Sequence, residues 1–463
     1  MAAGAIITDA FKKKILLELD SDISNRAEYY IGIGRSVQWN STEAVPTPLN
    51  HSFDARQASL ALQSIKKAED RSFVVPRNTW TSGTKYDAFD DRVVGYPTNA
   101  YYVINSANDV YMCVEASKNT SGETQTSTVE PTNTDTTKPF KLSDGYVWKF
   151  LYGLTTLNAN KFLSANFIPV NFQAASTGGA NATLDQQFTI QNNATPGQIS
   201  NIVVTNPGSG YTSAPTVTIN GNGTGAAATA TVSPTGTISK ITLDSSQDSC
   251  RKMGRDYTKA SITISGSGGA TARAVLSPTN GHGADARDDL RSTQMMFNTK
   301  PNGTESGKFN VGQDFRQIML LRAPFAQDGA TAFTATVGRA GRSLKLQANA
   351  NNTVLDGTIT GATSGATAFL DGVDSSVLFY HQSDSSGFKS FASNENITNA
   401  AGALIGQVTA ATSDQLGGAA SAEGGAGMND VFPQKFDVYY IENRAPVVRD
   451  QAQTEDIKVV ISI

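Results

Sequence analysis

The sequence predicts a mainly β fold: an α+β core with two short amphipathic helices, made discontinuous by two small inserted β modules. Three observations predict it. Charged residues make up 17% of the 463, below the roughly 25% usual for soluble domains, and 41 glycines with many Thr, Ser, Asn and Ala replace them. Short runs rich in aromatic and β-branched residues recur between Gly- and Asn-containing turns. Composition also shifts near residue 172 and again near 327, each time to Gly, Ala, Ser and Thr, while all three Trp lie outside those blocks.

Thr8 is placed to cap a first helix, with Asp9 in its first turn and Phe11, Ile15 and Leu19 repeating every four residues as the expected buried stripe. A second helix is expected from Asp54, with Ala58, Ala61, Leu62 and Ile65 on one side and Lys66 and Lys67 near its end. Strands are expected at residues 28–34, 72–76, 101–105 and 109–116, followed by a polar loop at 117–138. The stretch DGYVWKFLYG, residues 144–153, then starts with an Asp-Gly step suited to a hairpin turn of the primed type. Alternation puts Tyr146, Trp148, Phe150 and Tyr152 on one face, with Val147, Lys149 and Leu151 on the other. A wholly aromatic face demands a covering layer.

Residues 199–234 and 238–278 form an internal repeat: a strand, a Gly-x-x-Tyr turn, a second strand, a Gly-rich turn and an Ala-rich third strand. One copy cannot bury its own apolar face, so two copies are expected to stack into a small β module. Ile318–Leu321 reads as a buried strand, residues 355–382 as short strands between Gly and Ser turns, and residues 417–430 as a linker. The last run, EDIKVVISI, alternates with Ile457, Val459, Ile461 and Ile463 on one face. The resulting organisation is a core of residues 1–171 with 281–326 and 432–463, a repeat module at 172–280 and a second inserted module at 327–431.

Several function classes find no support. Net charge is −4, the pI is about 5.5, and Lys12–Lys14 is the one basic triplet, so the clustered positive charge that nucleic acid requires is missing. No apolar run is long enough to span a membrane, and the order of a signal peptide is absent from the first residues, so the chain is expected to stay where it is made. Cys113 and Cys250 are read as two buried thiols in preference to a disulfide. His51, His282 and His381 show no metal-ligand spacing and are read as surface or turn residues. GTESGKF (Gly303–Phe309) is one residue short of a phosphate loop, and GNGTGA (Gly221–Ala226) has no α/β context. The carboxylate groups Asp87, Asp90, Asp91 and Asp285, Asp288, Asp289 are read as solvated loops in preference to a glycosidase pair. No catalytic, cofactor-binding or metal-binding residue is predicted.

Five segments in order carry a resemblance. They are IGIGRSVQW with Arg35 and Trp39, VVPRNTW with Arg77 and Trp80, and EP (Glu130, Pro131) followed by DGYVW with Asp144, Gly145, Tyr146 and Trp148. DFRQIMLL follows with Phe315, Arg316 and Gln317, then YYIENRAPVV and QTEDIKVVISI with Glu442, Asn443, Arg444, Pro446, Thr454 and Glu455. Together they resemble the gene-eight type baseplate wedge subunit of T-even-like contractile-tailed bacteriophages. Ala445 departs from the proline pair usual there, and DQAQTED is longer than the family's turn. The two low-charge blocks fall outside the resemblance and look like insertions.

The resemblance implies a non-catalytic structural subunit without cofactor, a homodimer that contacts other wedge proteins in the virion tail baseplate. It would be made in the host cytoplasm and take part in assembly and in the rearrangement that triggers tail contraction. It implies no nucleic-acid partner, no membrane insertion and no small-molecule substrate. The motif residues named above are then structural or interface residues, with the Trp read as core anchors and Arg35, Arg77, Arg316 and Arg444 as candidates for fixed ion pairs or bidentate bonds that lock loops together or hold a partner chain. An alternative reading is a tail adhesin whose inserted modules contact host glycans through exposed Tyr211, Tyr257 and Tyr380. A glycan-cleaving enzyme is a third.

Overall fold

The computed structural model describes residues 5–25, 28–68, 70–243, 252–300, 314–325, 332–333, 338–339, 342–383, 385–409, 429–430, 436–448 and 456–463. The fold is mainly β, with antiparallel sheets and, among the described residues, five helices. The chain divides into two compact units: Met1–Leu16, Ser72–Met296 and Ser462–Ile463 form one, Leu17–Arg71 and Phe297–Ile461 the other. Gly303–Phe309, residues 417–428 of the expected linker, Cys250, Thr454 and Glu455 lie outside the described residues.

In the first unit the aromatic strand is Val147–Gly153, in a sheet ordered Tyr102–Ile104, Asp109–Glu115, Val147–Gly153, Phe140–Lys141. Phe140 faces Trp148 and Lys141 faces Val147, so the expected hairpin is present. Its turn is of a different type. Gly145 is at φ +90° while Asp144 is not left-handed, and the Gly145 amide donates to the Leu142 carbonyl at 3.0 Å. A right-handed turn closed by one left-handed glycine replaces the primed turn, because Asp144 spends its carboxylate on neighbouring amides.

The aromatic face is covered as expected. Trp148 stacks on Tyr146 at 5.9 Å and meets the Tyr86 ring edge-on at 5.5 Å. Helix Ala182–Asn192 packs on this strand and sends Ile190 into the cluster. The sequence reading had no helix there. The Asn181 side chain caps it by accepting from the Leu184 amide at 3.2 Å, with Asp185 in the first turn, a local signal masked by the Gly-rich surroundings. The opposite face of the strand is also buried, Lys149 included. Burial lowers the Lys149 ammonium below the usual range, opposed by Asp289 and Asp135.

The repeat folds as one interleaved module. Its main sheet runs Ala228–Val232, Ile238–Leu243, Ile199–Asn206, Thr271–Leu276, which is third strand of copy one, first of copy two, first of copy one, third of copy two. The order reads the same when the copies are exchanged, with Ile241 opposite Ile202 at the centre. The two second strands, Val217–Gly221 and Ala260–Ile264, pair with each other as well.

In the second unit one sheet runs Leu62–Lys67, Tyr29–Gly34, Asp314–Arg322, Asp437–Val448, and a second, six-stranded sheet is built within the 327–431 block. The second sheet has its own core of Leu344, Leu370, Leu378, Tyr380 and Ile397. Two expectations about helices are corrected. The second helix is Ser52–Leu60, capped by His51, and Leu62 and Ile65 belong to the strand that follows, where Ile65 faces Gly32. The apolar residues fit either period, and pairing with Tyr29–Gly34 decides for the strand. The first helix, Asp9–Asn25, buries Leu16, while Phe11 and Ile15 are 56% and 37% exposed. Its buried side is rotated by one residue from the expected stripe, because Lys13 is drawn onto Asp285 and Asp288.

Candidate functional site

The motif residues of the second unit come from three distant parts of the chain and meet in one sheet. Tyr29–Gly34 pairs with Asp314–Arg322, which pairs with Asp437–Val448, so Ile33 faces Ile318 and Gln317 faces Asn443. Arg35, at φ +65°, turns the chain out of the first strand, and its amide donates to the Ala61 carbonyl at 2.9 Å.

Arg316 is the hub. It is buried, with Nε 3.0 Å from Glu43 Oε2, Nη2 2.8 Å from Glu43 Oε1 and 2.7 Å from Asp314, and Nη1 2.6 Å from the Ser36 carbonyl. Such a forked pair fixes direction as well as distance, so residues 36–43 are clamped onto the sheet. Burial lowers the Arg316 pKa, but its bonds to Glu43 and Asp314 outweigh that and hold it above the ordinary value. The Arg316 hydrogen bond in turn pulls the Glu43 carboxyl below the usual range.

The clamped loop carries Trp39. Its indole N–H donates to the Arg444 carbonyl at 2.8 Å, and the Arg35 guanidinium lies 4.0 Å above its ring. Gln317 donates to Asn443 Oδ1 at 2.9 Å, and Asn443 donates to the Pro46 carbonyl at 2.9 Å. Phe315 is buried in the middle strand. Arg444 and Glu442 are 41% and 37% exposed and only 3.9 Å apart, and Pro446 is exposed on the edge strand. No protein-family model matches this chain, and no curated protein does.

The other motif residues gather in the first unit. Asp144 Oδ2 accepts from Ser127 Oγ at 3.0 Å and from the Thr128 and Val129 amides, and the Trp80 indole donates to Ser127 Oγ at 3.1 Å. The Tyr146 hydroxyl donates to the Gln125 carbonyl at 2.6 Å. Gly145 has no room for a Cβ, which would stand 2.6 Å from Ser117 Oγ. Glu130 accepts from the Ser106 amide at 2.7 Å, and Arg77 donates to the Ser164 carbonyl at 2.9 Å. Asp144, Tyr146, Trp80 and Glu130 tie down the long polar loop, Arg77 bonds outside it, and Trp148 is fully buried.

Two histidines are not at the surface. His282 Nδ1 is 2.7 Å from Asp289 and His381 Nδ1 is 2.7 Å from Asp371, all four side chains buried. His51 is the exposed cap of a helix. His381 Nε2 is 3.4 Å from Ser36 Oγ, so Ser36, His381 and Asp371 share the connectivity of a hydrolytic triad. The contact to the hydroxyl is long, and Ser36 is buried without lining the cavity beside it. The three read as a buried hydrogen-bond chain joining the clamped loop to the six-stranded sheet. Sequence reasoning missed them because Ser36 and His381 lie 345 residues apart.

The aspartate groups are not solvated loops either. Asp90 and Asp91 pair with Arg273, Asp285 pairs with Arg287, and Asp289 is fully buried. Tyr211, Tyr257 and Tyr380 are all buried, so none of the three is a platform for a host sugar. Tyr211 packs over Gly268 and Tyr257 over Gly223, each tyrosine against the Gly-rich turn of the other copy. Among the described residues no three His, Cys, Asp or Glu side chains form a metal-binding group, and no helix is long and apolar enough to cross a membrane.

Proposed function

We propose that the chain is a non-catalytic structural subunit of a contractile-tail baseplate wedge, working as a homodimer beside other wedge proteins. The observation that carries this reading is the convergence of three resemblance motifs around Arg316. Residues that look like family markers in sequence act as joints, holding a loop rigidly on a sheet. Rigid subunits suit a machine that rearranges by changing interfaces while each fold persists. The buried tyrosines withdraw the aromatic support for the adhesin alternative. Reconstruction of the virion that carries this chain tests the proposal. Paired copies within each wedge, enclosed by other subunits, are expected; threefold copies at an exposed fibre tip overturn it.

A further inference from the structure

A cavity of about 500 Å³ opens beside the clamped loop in the second unit. This is the size of a small-molecule site. Two aromatic rings line it, Trp39 and Phe53. Trp39 is a fixed plate, its indole N–H bound to the Arg444 carbonyl and one face under the Arg35 guanidinium. Phe53 and Leu49, which also line the cavity, are 45% and 59% exposed, an apolar surface that the fold itself does not use.

The polar lining is mostly of uncharged side chains. Gln38, Thr47 and Ser385 supply amide and hydroxyl groups that both donate and accept. Among the described lining residues Arg35 and Asp54 are charged, one of each sign: Arg35 lies over Trp39, and Asp54 accepts from the Leu49 amide at 2.8 Å. With one charge of each sign, the described lining has no net charge to favour a phosphate, a carboxylate ligand or a metal ion. A pyranose ring, with C–H faces and a rim of hydroxyls, matches both walls. A peptide added as a further β-strand would instead need a continuous row of backbone partners. The neighbouring edge strand Asp437–Val448 breaks that row, because its register skips opposite Phe315–Gln317 and Pro446 has no N–H.

We propose that this cavity binds a short neutral oligosaccharide, its sugar faces against Trp39 and Phe53 and its hydroxyls on the amide and hydroxyl groups between them. The site is separate from the three buried tyrosines and does not depend on a baseplate role. The test titrates the full chain with maltotriose, with triacetylchitotriose and with a proline-rich peptide, followed by tryptophan fluorescence and calorimetry. One of the two sugars is expected to saturate with a Kd near about 1 mM or below. Phe53→Ala and Gln38→Ala, both surface changes, are each expected to weaken it roughly tenfold with the melting temperature unchanged. Binding of neither sugar at about 20 mM overturns the proposal. So does sugar binding that both variants leave intact, or binding of the peptide alone.

Discussion

Arg316 shows how much one side chain can organise. It makes a forked bond to Glu43, a second ion pair to Asp314 and a bond to the Ser36 carbonyl, all from a buried position. Lysine keeps the charge but cannot reproduce the fork. Arg316→Lys is therefore expected to cost about 2 kcal/mol in chemical denaturation and to free the 36–43 loop, seen as faster amide exchange at Trp39. Unchanged stability and exchange would mean that the loop is held by other contacts. Asp356 behaves in the opposite sense. Burial, with Asp314 and Asp371 nearby, pushes its carboxyl up to about 7, and its Oδ1 is buried with no hydrogen-bond partner. A folded pKa above the unfolded one means that the neutral form is favoured by folding. Stability from this group is complete at low pH and is lost as pH rises from the ordinary carboxylate range through about 7. Asparagine removes the charge and tolerates the left-handed φ of +57° at this position. Asp356→Asn should stabilise the protein by about 1 kcal/mol at pH 8, after allowance for solvent screening, and by less at pH 5. A gain independent of pH would assign the effect to the backbone instead.

At the scale of elements, the interleaved repeat makes a symmetric prediction. A Cβ at Gly223 would enter the Tyr257 ring and come within 2.5 Å of the Arg255 carbonyl; one at Gly268 would enter the Tyr211 ring and come within 2.5 Å of the Ser209 carbonyl. Both collisions involve backbone, which cannot rotate away. Gly223→Ala and Gly268→Ala should each cost about 1–3 kcal/mol, and by similar amounts, if the two copies do equal work. A large cost at one site alone would show that the copies have diverged in role. The tyrosines and glycines of this module were legible in sequence as a repeat, yet their exposure was not, because a Gly-x-x-Tyr turn looks alike whether the ring packs inward or outward. The same limit explains the helices. Leu62 and Ile65 satisfy a helical period and a strand period equally, and only the partner strand Tyr29–Gly34 decides. The aromatic strand Val147–Gly153 was readable because aromatics at every second position from Tyr146 to Tyr152 fit a strand and demand cover, while the burial of its other face carried no such mark. Of the site, Arg316 and Trp39 stand out in sequence, while Glu43, Ser36, Asp371 and His381 carry no local mark. They acquire meaning when sheet pairing brings distant segments together.

For the whole molecule, the homodimer we propose raises the question of which surface would meet a second copy. Among the described residues the strand Asp437–Val448 pairs along one side, and Pro446 and the skipped register guard its other side against simple strand addition. Any partner must therefore use side chains there. Arg444 and Glu442 are half-exposed, and their mutual contact at 3.9 Å is a weak surface pair that leaves the guanidinium donors available for a stronger acceptor. The contribution of Arg444 to its own fold is made through its carbonyl, which accepts from Trp39 and survives any side-chain change. Arg444→Ala should then leave stability within about 0.5 kcal/mol of the parent. If this strand faces the second copy, the same change should weaken dimerisation in sedimentation equilibrium by roughly tenfold, the effect of one well-formed charged contact. Dimerisation untouched by the change would remove Arg444 from the interface and turn attention to Phe11 and Ile15, two of the exposed apolar side chains on the first helix.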